Sequence, residues 1–316
     1  MGRLPARALS WAAVLAGLLW AQETVFRVDV RLVRLLVRVT DAAGKATGEL
    51  TKDDFRVFDN SVRQQVAVFE RYTVQPLSVA VLIDTSASTG IELRYEVDSV
   101  NRFFRALFVE GNPQDTAALY SFNHEVTLAT SFTRNLARLA GPLKQLDSVG
   151  GTSLYDALFL ASRSLQDRSG RRVMVVVTDG GDTTSYRTFH DALEAAHLAE
   201  AVIFPVLVVP IPNDAGRNVG GENALTSLSL ATGGRMFTPS TGPALDAAFQ
   251  EILRELRTQY LLGFYPKSVP LTKNRFHTLR VEVLRPDLRV STRSGYYGDY
   301  EQPATESPRQ APAPVR

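Results

Sequence analysis

Three apolar runs constrain this chain more than any other feature: LSVAVLID at 77–84, VMVVVTD at 173–179 and VIFPVLVV at 202–209. Each has strand length and no polar alternation, the pattern of a strand covered on both faces. Such strands belong to parallel sheets enclosed by helices. The intervening segments have helix length. After the first run Val97, Val100, Phe104 and Leu107 form one helical stripe. DTAALYSF and EVTLATSF, separated by Asn123 and His124, read as a hairpin. Helices are expected at 136–146, 153–166, 188–200 and, briefly, 225–230, with a strand at 236–238. A last helix follows Thr241 and Pro243, with Leu245, Ala248, Phe249, Ile252, Leu253 and Leu256 on one face. The alternation predicts an α/β domain over 77–258 with a doubly wound, mostly parallel sheet.

The flanks have a different texture. VFRVDVRLVRLLVRV alternates as a strand whose phase changes near 33–35, which suggests a bulge or bend. LTKDDF can form one helical turn capped by Thr51, and FRVFD and VRQQVAVFERY form a strand pair around Asn60 and Ser61. On the far side, QYLLGFYP, RFHTLRVEVLRP and LRVSTRSGYYG are again strands, and their Tyr and Phe residues are core candidates. Each flank, 24–74 or 259–300, is too small to bury a core alone. Pairing them gives one small β domain interrupted by the α/β domain.

At the N-terminus two arginines precede an apolar run from Ala8 to Trp20, and Ala21 begins a polar stretch. This reads as a signal peptide over 1–21, implying export to the periplasm or the extracellular space; an uncleaved anchor or a buried first helix are the alternatives. No later stretch is apolar and long enough to span a membrane. The tail at 301–316, rich in Pro and polar residues, is expected to be disordered.

The chain has no Cys, which excludes disulfides, thiolate zinc sites and thiol nucleophiles. Of 35 basic residues 30 are Arg, scattered among 33 acids without a dense block. That argues against a nucleic-acid partner. Oxygen and imidazole chemistry remain. His190 and His197 lie seven apart on a helix, not at the spacing of a metal pair, and read as surface residues. His124 sits in the hairpin turn and His277 in a strand, neither with an evident partner.

The oxygen donors are more telling. DTSAS places Asp84, Ser86 and Ser88 at the end of the first parallel strand, GGTSLYDAL places Thr152 at the start of a helix, and TDGGD places Asp179 at the end of another parallel strand. Taken singly, these are a cap, an N-cap and a turn former. An open parallel sheet, however, gathers the carboxyl ends of its strands along one edge, where ligands collect. Two carboxylates with three hydroxyls suit Mg²⁺, Mn²⁺ or Ca²⁺ rather than zinc or copper. Asp182 reads as a solvated loop acid. The segment 210–223 leaves a strand at the same edge and is long for a connection, so it is expected to shape partner choice.

DxSxS followed by Thr and then Asp resembles the metal-ion-dependent adhesion site of the von Willebrand factor A domain, and the likeness covers about 77–256. The flanks, with the closing GYYG, resemble those of bacterial secreted proteins described as von Willebrand factor A related. The resemblance implies that Ser86 and Ser88 bind the cation directly, Thr152 directly or through water, and Asp84 and Asp179 largely through water. Mg²⁺ is the ion it most implies. It further implies a protein partner presenting an Asp or Glu carboxylate, with no catalysis. Two rivals stand beside it. One is a Mg²⁺-dependent phosphatase of the haloacid-dehalogenase type with Asp84 as nucleophile, although Ser86 occupies the position where that chemistry wants a second Asp. The other is a structural envelope subunit with a vestigial metal site.

Overall fold

The computed structural model describes residues 32–298, apart from 48, 72–74, 91, 92, 209–217, 241, 271 and 273. The expected leader at 1–21, the tail at 301–316 and most of the loop at 210–223 lie outside the described residues.

Strands β5 (Leu77–Asp84), β6 (Thr116–Phe122), β7 (Val126–Thr133), β8 (Arg171–Thr178) and β9 (Ala201–Leu207) form one five-stranded sheet in the order β7-β6-β5-β8-β9. Strands β6, β5, β8 and β9 are parallel, and β7 closes one edge antiparallel to β6 as the hairpin pattern predicts. Every residue of β5 is buried. The two-residue period of a strand sends its side chains alternately to opposite faces. Val79, Val81 and Ile83 join one core, formed with α1 (Leu93–Glu110), α2 (Leu136–Leu143) and α6 (Gly242–Thr258). Ala80 and Leu82 join the other, under α3 (Leu154–Gln166), α4 (Phe189–Leu198) and α5 (Val219–Thr232). Burying one such aliphatic side chain contributes about 1.5–3 kcal/mol, which is why the sequence tolerates no polar alternation here.

The sheet has a switch in winding direction at β5. The chain leaves β5 toward β6 on one side and returns to β8 on the other, so the loops after β5 and β8 diverge from neighbouring strands. A crevice opens at such a point.

The flanks form two further four-stranded antiparallel sheets, and each mixes strands from both ends of the described chain. The first runs β12-β1-β10-β4 and the second β13-β11-β2-β3. Their members are β1 (Val33–Thr40), β2 (Phe55–Asp59), β3 (Val62–Gln64), β4 (Val66–Glu70), β10 (Tyr260–Phe264), β11 (Phe276–Val283), β12 (Arg289–Ser291) and β13 (Gly295–Tyr297). Leu35, Val37, Phe55, Val57, Leu262, Phe264 and Val281 meet in a third core. Tyr260 is fully buried there, and its hydroxyl donates to Thr47 O at 2.9 Å and accepts from Leu50 N at 3.3 Å. The ring thus reaches the core without stranding its polar atom.

Several local readings need correction. VRQQVAVFERY is two strands that part at Gln65 and enter different sheets, and LRVSTRSGYYG likewise divides into β12 and β13. Two sheets packed face to face require strands that cross between them, and period-two alternation carries no information about which sheet a strand joins. Gln64 secures the first crossing by accepting from Lys267 N and donating to Lys267 O. The bulge or bend expected near 33–35 is a different case, because the stretch before it, up to residue 31, lies outside the described residues; β1 itself buries its odd positions from Val33 to Val39. The short helix expected at 225–230 begins at Val219, inside the expected loop, because Asn218 caps it through Gly221 N. Residues 236–238 contribute one bridge, Phe237 to Val206, rather than a strand. In GFYP, Phe264 is buried whereas Tyr265 is largely exposed.

Candidate metal centre

Register explains how Asp84 meets the end of β8. Ile83 pairs with Val177, so Asp84 comes level with Thr178, and Thr178 Oγ1 donates to Asp84 Oδ2 at 2.6 Å across 94 positions of sequence. Ser86 N donates to the other oxygen, Oδ1, at 2.9 Å. Asp84 is completely buried. Burial pushes its carboxyl up to about 6 against the pull of these hydrogen bonds, and the nearby charge of Asp179 pushes in the same direction. A buried carboxylate whose charged neighbour is another carboxylate is electrostatically uncompensated, and a cation beside it would reverse the balance.

The loop after β5 is wound tightly. Ser86 precedes a 3-10 turn, Ala87–Thr89, and Thr89 Oγ1 donates to the carbonyls of Asp84 and Ser86 at 3.2 and 2.9 Å. Ser86 Oγ and Ser88 Oγ lie 3.2 Å apart, with Ser86 buried and Ser88 facing solvent. Ala87 N donates to Gly150 O at 3.1 Å, and Val149 N to Thr85 O at 2.9 Å, so the glycine pair before Thr152 is laced to this loop. Gly150 has φ 77°, and a side chain there would meet His124 Nδ1 at 2.5 Å. Only glycine satisfies both demands.

Thr152 is buried, and its backbone bonds on both sides. Its N–H donates to Thr183 Oγ1 at 2.8 Å, and its carbonyl accepts from the N–H groups of Thr183 and Thr184 at 2.8 and 3.1 Å. The Thr152 hydroxyl takes part in none of these bonds. The structure therefore brings the three motif segments together as hydrogen-bonded neighbours. Asp84 and Thr178 touch directly, Ser86 and Ser88 touch each other, and Thr152 and Asp179 arrive through the backbone around them.

Some contributors escape a reading of the sequence. Thr178 supplies the closest hydrogen bond to Asp84, and its only trace in the sequence is its position one residue before Asp179. Thr183 and Thr184 hold the start of α3, and the second also shares a hydrogen bond with Ser153 Oγ at 2.8 Å. The turn at His124 lies against the same segment, its carbonyl accepting from Ser153 Oγ. Asp182 is not merely a solvated acid, because Oδ1 accepts from Tyr155 N at 3.2 Å in the first turn of α3. Asn218 packs on Gly181, where any side chain would collide with its amide. His197 is buried, not at the surface, and packs against Phe276 at 5.3 Å between ring centroids. His277 does have partners, with Nδ1 3.0 Å from Asp59 and its ring stacked on Tyr296.

The donor set fits a hard divalent cation. It offers carboxylate and hydroxyl oxygen, and no thiol or imidazole belongs to it. No three His, Asp or Glu side chains cluster as a metal site among the described residues, so any cation here would depend on the hydroxyls.

A five-stranded, mostly parallel sheet with helices on both faces and oxygen donors gathered at its switch point defines an α/β domain of the open-sheet class. Residues 79–181 match the family described as von Willebrand factor type A domain. Several solved structures are similar to the chain at low identity. The vWF domain of the type V pili tip protein Mfa5 from Porphyromonas gingivalis is 16% identical, with 58% of this chain and 95% of that one covered and a TM-score of 0.48. The conserved hypothetical protein BatB from Bacteroides thetaiotaomicron is 20% identical, covering 57% and 98% with a TM-score of 0.45. The PilB minor pilin from Streptococcus sanguinis is 12% identical, covering 59% and 62% with a TM-score of 0.46. No curated protein matches the chain.

Proposed function

We propose that the chain is an exported protein-binding module whose binding depends on a divalent cation, Mg²⁺ foremost, held by Asp84, Ser86, Ser88, Thr152 and Asp179. The observation that carries this reading is the burial of Asp84 beside the charge of Asp179, at the head of a loop whose Ser86 and Ser88 hydroxyls lie 3.2 Å apart. When bound, the cation would supply an electrophilic point for an Asp or Glu carboxylate of a partner protein. The chain's own residues do the positioning. Thr178 and Ser86 N fix both Asp84 oxygens, Thr89 fixes the turn that carries Ser86 and Ser88, and Thr183 fixes Thr152. Export rests on the leader at 1–21, and no helix among the described residues is long and apolar enough to cross a membrane.

The phosphatase reading fits the geometry poorly. A nucleophilic carboxylate needs an oxygen open to substrate, whereas Asp84 is fully buried with both oxygens engaged. Affinity capture from an envelope extract tests the binding reading. The expected result is a partner retained in Mg²⁺ and released by chelator, and retention indifferent to chelator would reject metal dependence in favour of a structural subunit.

A further inference from the structure

The amino end of the five-stranded sheet lies one strand length, about 25 Å, from the candidate metal centre. It holds a concentration of charge of the opposite sign. A cavity of about 160 Å³ opens there between the starts of β8 and β9 and the flank strands β1 and β10. Four arginines line it, Arg34, Arg171, Arg172 and Arg293, against one carboxylate, Glu200. That carboxylate is already divided, 3.0 Å from Arg293 and 3.6 Å from Arg172. Glu200 also takes the left-handed conformation, φ 49°, an unusual one for this residue type. Asp115 and Asp167 act on Arg171 and Arg172 only through space.

Two of the arginines are more than nine-tenths buried, Arg171 at 4% and Arg293 at 8% exposure. Arg171 donates to neutral acceptors, Leu256 O and Gln259 Oε1, and Arg293 to Arg34 O and Glu200. Arg171 Nε, Arg293 Nε and one terminal nitrogen of Arg293 have no acceptor among the described residues. Burial brings Arg171 down to about 10, so it stays charged at neutral pH. Burial also lowers Arg172, which Glu200 opposes while Arg34 and Arg293 add repulsion. Buried donors without acceptors and like charges held together are both costly unless an anion joins them.

We propose that this cavity binds a phosphate-type oxyanion. Its volume equals the liquid share of about five waters, enough for one tetrahedral anion. Such an anion presents oxygens in several directions, matching guanidinium groups that arrive from β1, from β8 and from the segment before β13. The planar guanidinium fork is suited to phosphoryl oxygen. Arg171 and Arg172 belong to the α/β domain, and Arg34 and Arg293 to the flank sheets. The bound anion therefore bridges the two parts of the fold and stabilises both.

The test uses the full chain without added divalent cation. Calorimetric titration with inorganic phosphate and thermal melting in phosphate against chloride at equal ionic strength are the measurements. The expected result is one phosphate per chain and a melting temperature raised beyond that in chloride. Arg293→Gln and Arg172→Gln should weaken phosphate at least tenfold. Exposed Arg34→Gln should weaken it about threefold with an unchanged circular dichroism spectrum, which keeps the test readable if the buried variants fail to fold. Arg105→Gln, on the exposed face of α1, should leave affinity unchanged. Glycerol phosphate, titrated in parallel, distinguishes a free anion from a phosphorylated ligand. Saturable binding of either supports the site. Stabilisation no greater than in chloride, or equal affinity in Arg34→Gln and Arg293→Gln, would overturn it.

Discussion

At the carboxyl end of the five-stranded sheet, Asp84 and Asp179 sit among hydroxyls, and at the amino end Arg171 and Arg172 sit among further arginines. Both ends gather charge of one sign that the opposite charges among the described residues balance only in part. The difference lies in how each end is built. The carboxyl end is made from loops of the α/β domain alone, tied by short hydrogen bonds between neighbouring strands. The amino end is shared, because Arg34 comes from β1 and Arg293 from the segment before β13, on opposite sides of the α/β domain in sequence. A parallel sheet thus separates a site its own topology creates from one that depends on what docks beneath it.

The largest expected effect tests the carboxyl end. Asp84→Ala should abolish Mg²⁺ uptake at millimolar concentration by titration calorimetry while leaving phosphate binding at the other end intact. Loss of both would show that the two ends are one cooperative unit. At the amino end, Arg171→Met should cost about 2–4 kcal/mol in urea unfolding, since Leu256 O and the Gln259 amide lose their buried donor where α6 passes into β10.

His197, on α4 beneath β13, gives a pH test of the packing between the α/β domain and the flank. Burial, with repulsion from Arg293, holds it down to about 4 despite a hydrogen bond to the Gly295 backbone. The unfolded chain binds this proton first, so His197 alone adds a destabilising acid limb that begins near pH 6.5 and reaches roughly 3 kcal/mol by pH 4, opposed over the same range by Asp84, whose raised carboxyl takes up its proton first in the folded state. His197→Phe should flatten that limb in pH-dependent denaturation, leaving metal uptake unchanged. Gly150→Ala should cost about 1–2 kcal/mol by forcing a side chain into the left-handed region against His124. The smallest expected change in stability, under about 0.5 kcal/mol, belongs to exposed Ser88→Ala. Its Mg²⁺ affinity should nonetheless fall severalfold, which separates a ligand from a structural cap.

Much of the fold was legible because burial on both faces leaves a plain mark. The runs at 77–84, 173–179 and 202–209 read as strands covered on both faces, which they are, although β9 closes one edge of the sheet, and the stripes through Phe104 and Leu253 marked the helices that cover them. The candidate site could be placed at one edge of the sheet for the same reason, since Asp84 and Asp179 stand at the ends of such runs. Thr178, Thr183 and Asn218 were not, because a contact thirty or more positions away, with Asp84, Thr152 and Gly181 in turn, leaves no periodic signature. The surface reading of His197 failed similarly, as the strand that covers it lies about a hundred residues further along the chain.

Sequence alone determined which segments are strands and helices, and that oxygen donors stand at the ends of parallel strands, because local burial and backbone preference are written residue by residue. Tertiary structure alone decided that VRQQVAVFERY divides between two sheets, that Thr178 clamps Asp84, and that four arginines face one cavity. Those outcomes depend on which distant surfaces come into contact, and that is settled by packing the whole chain rather than by any stretch of it.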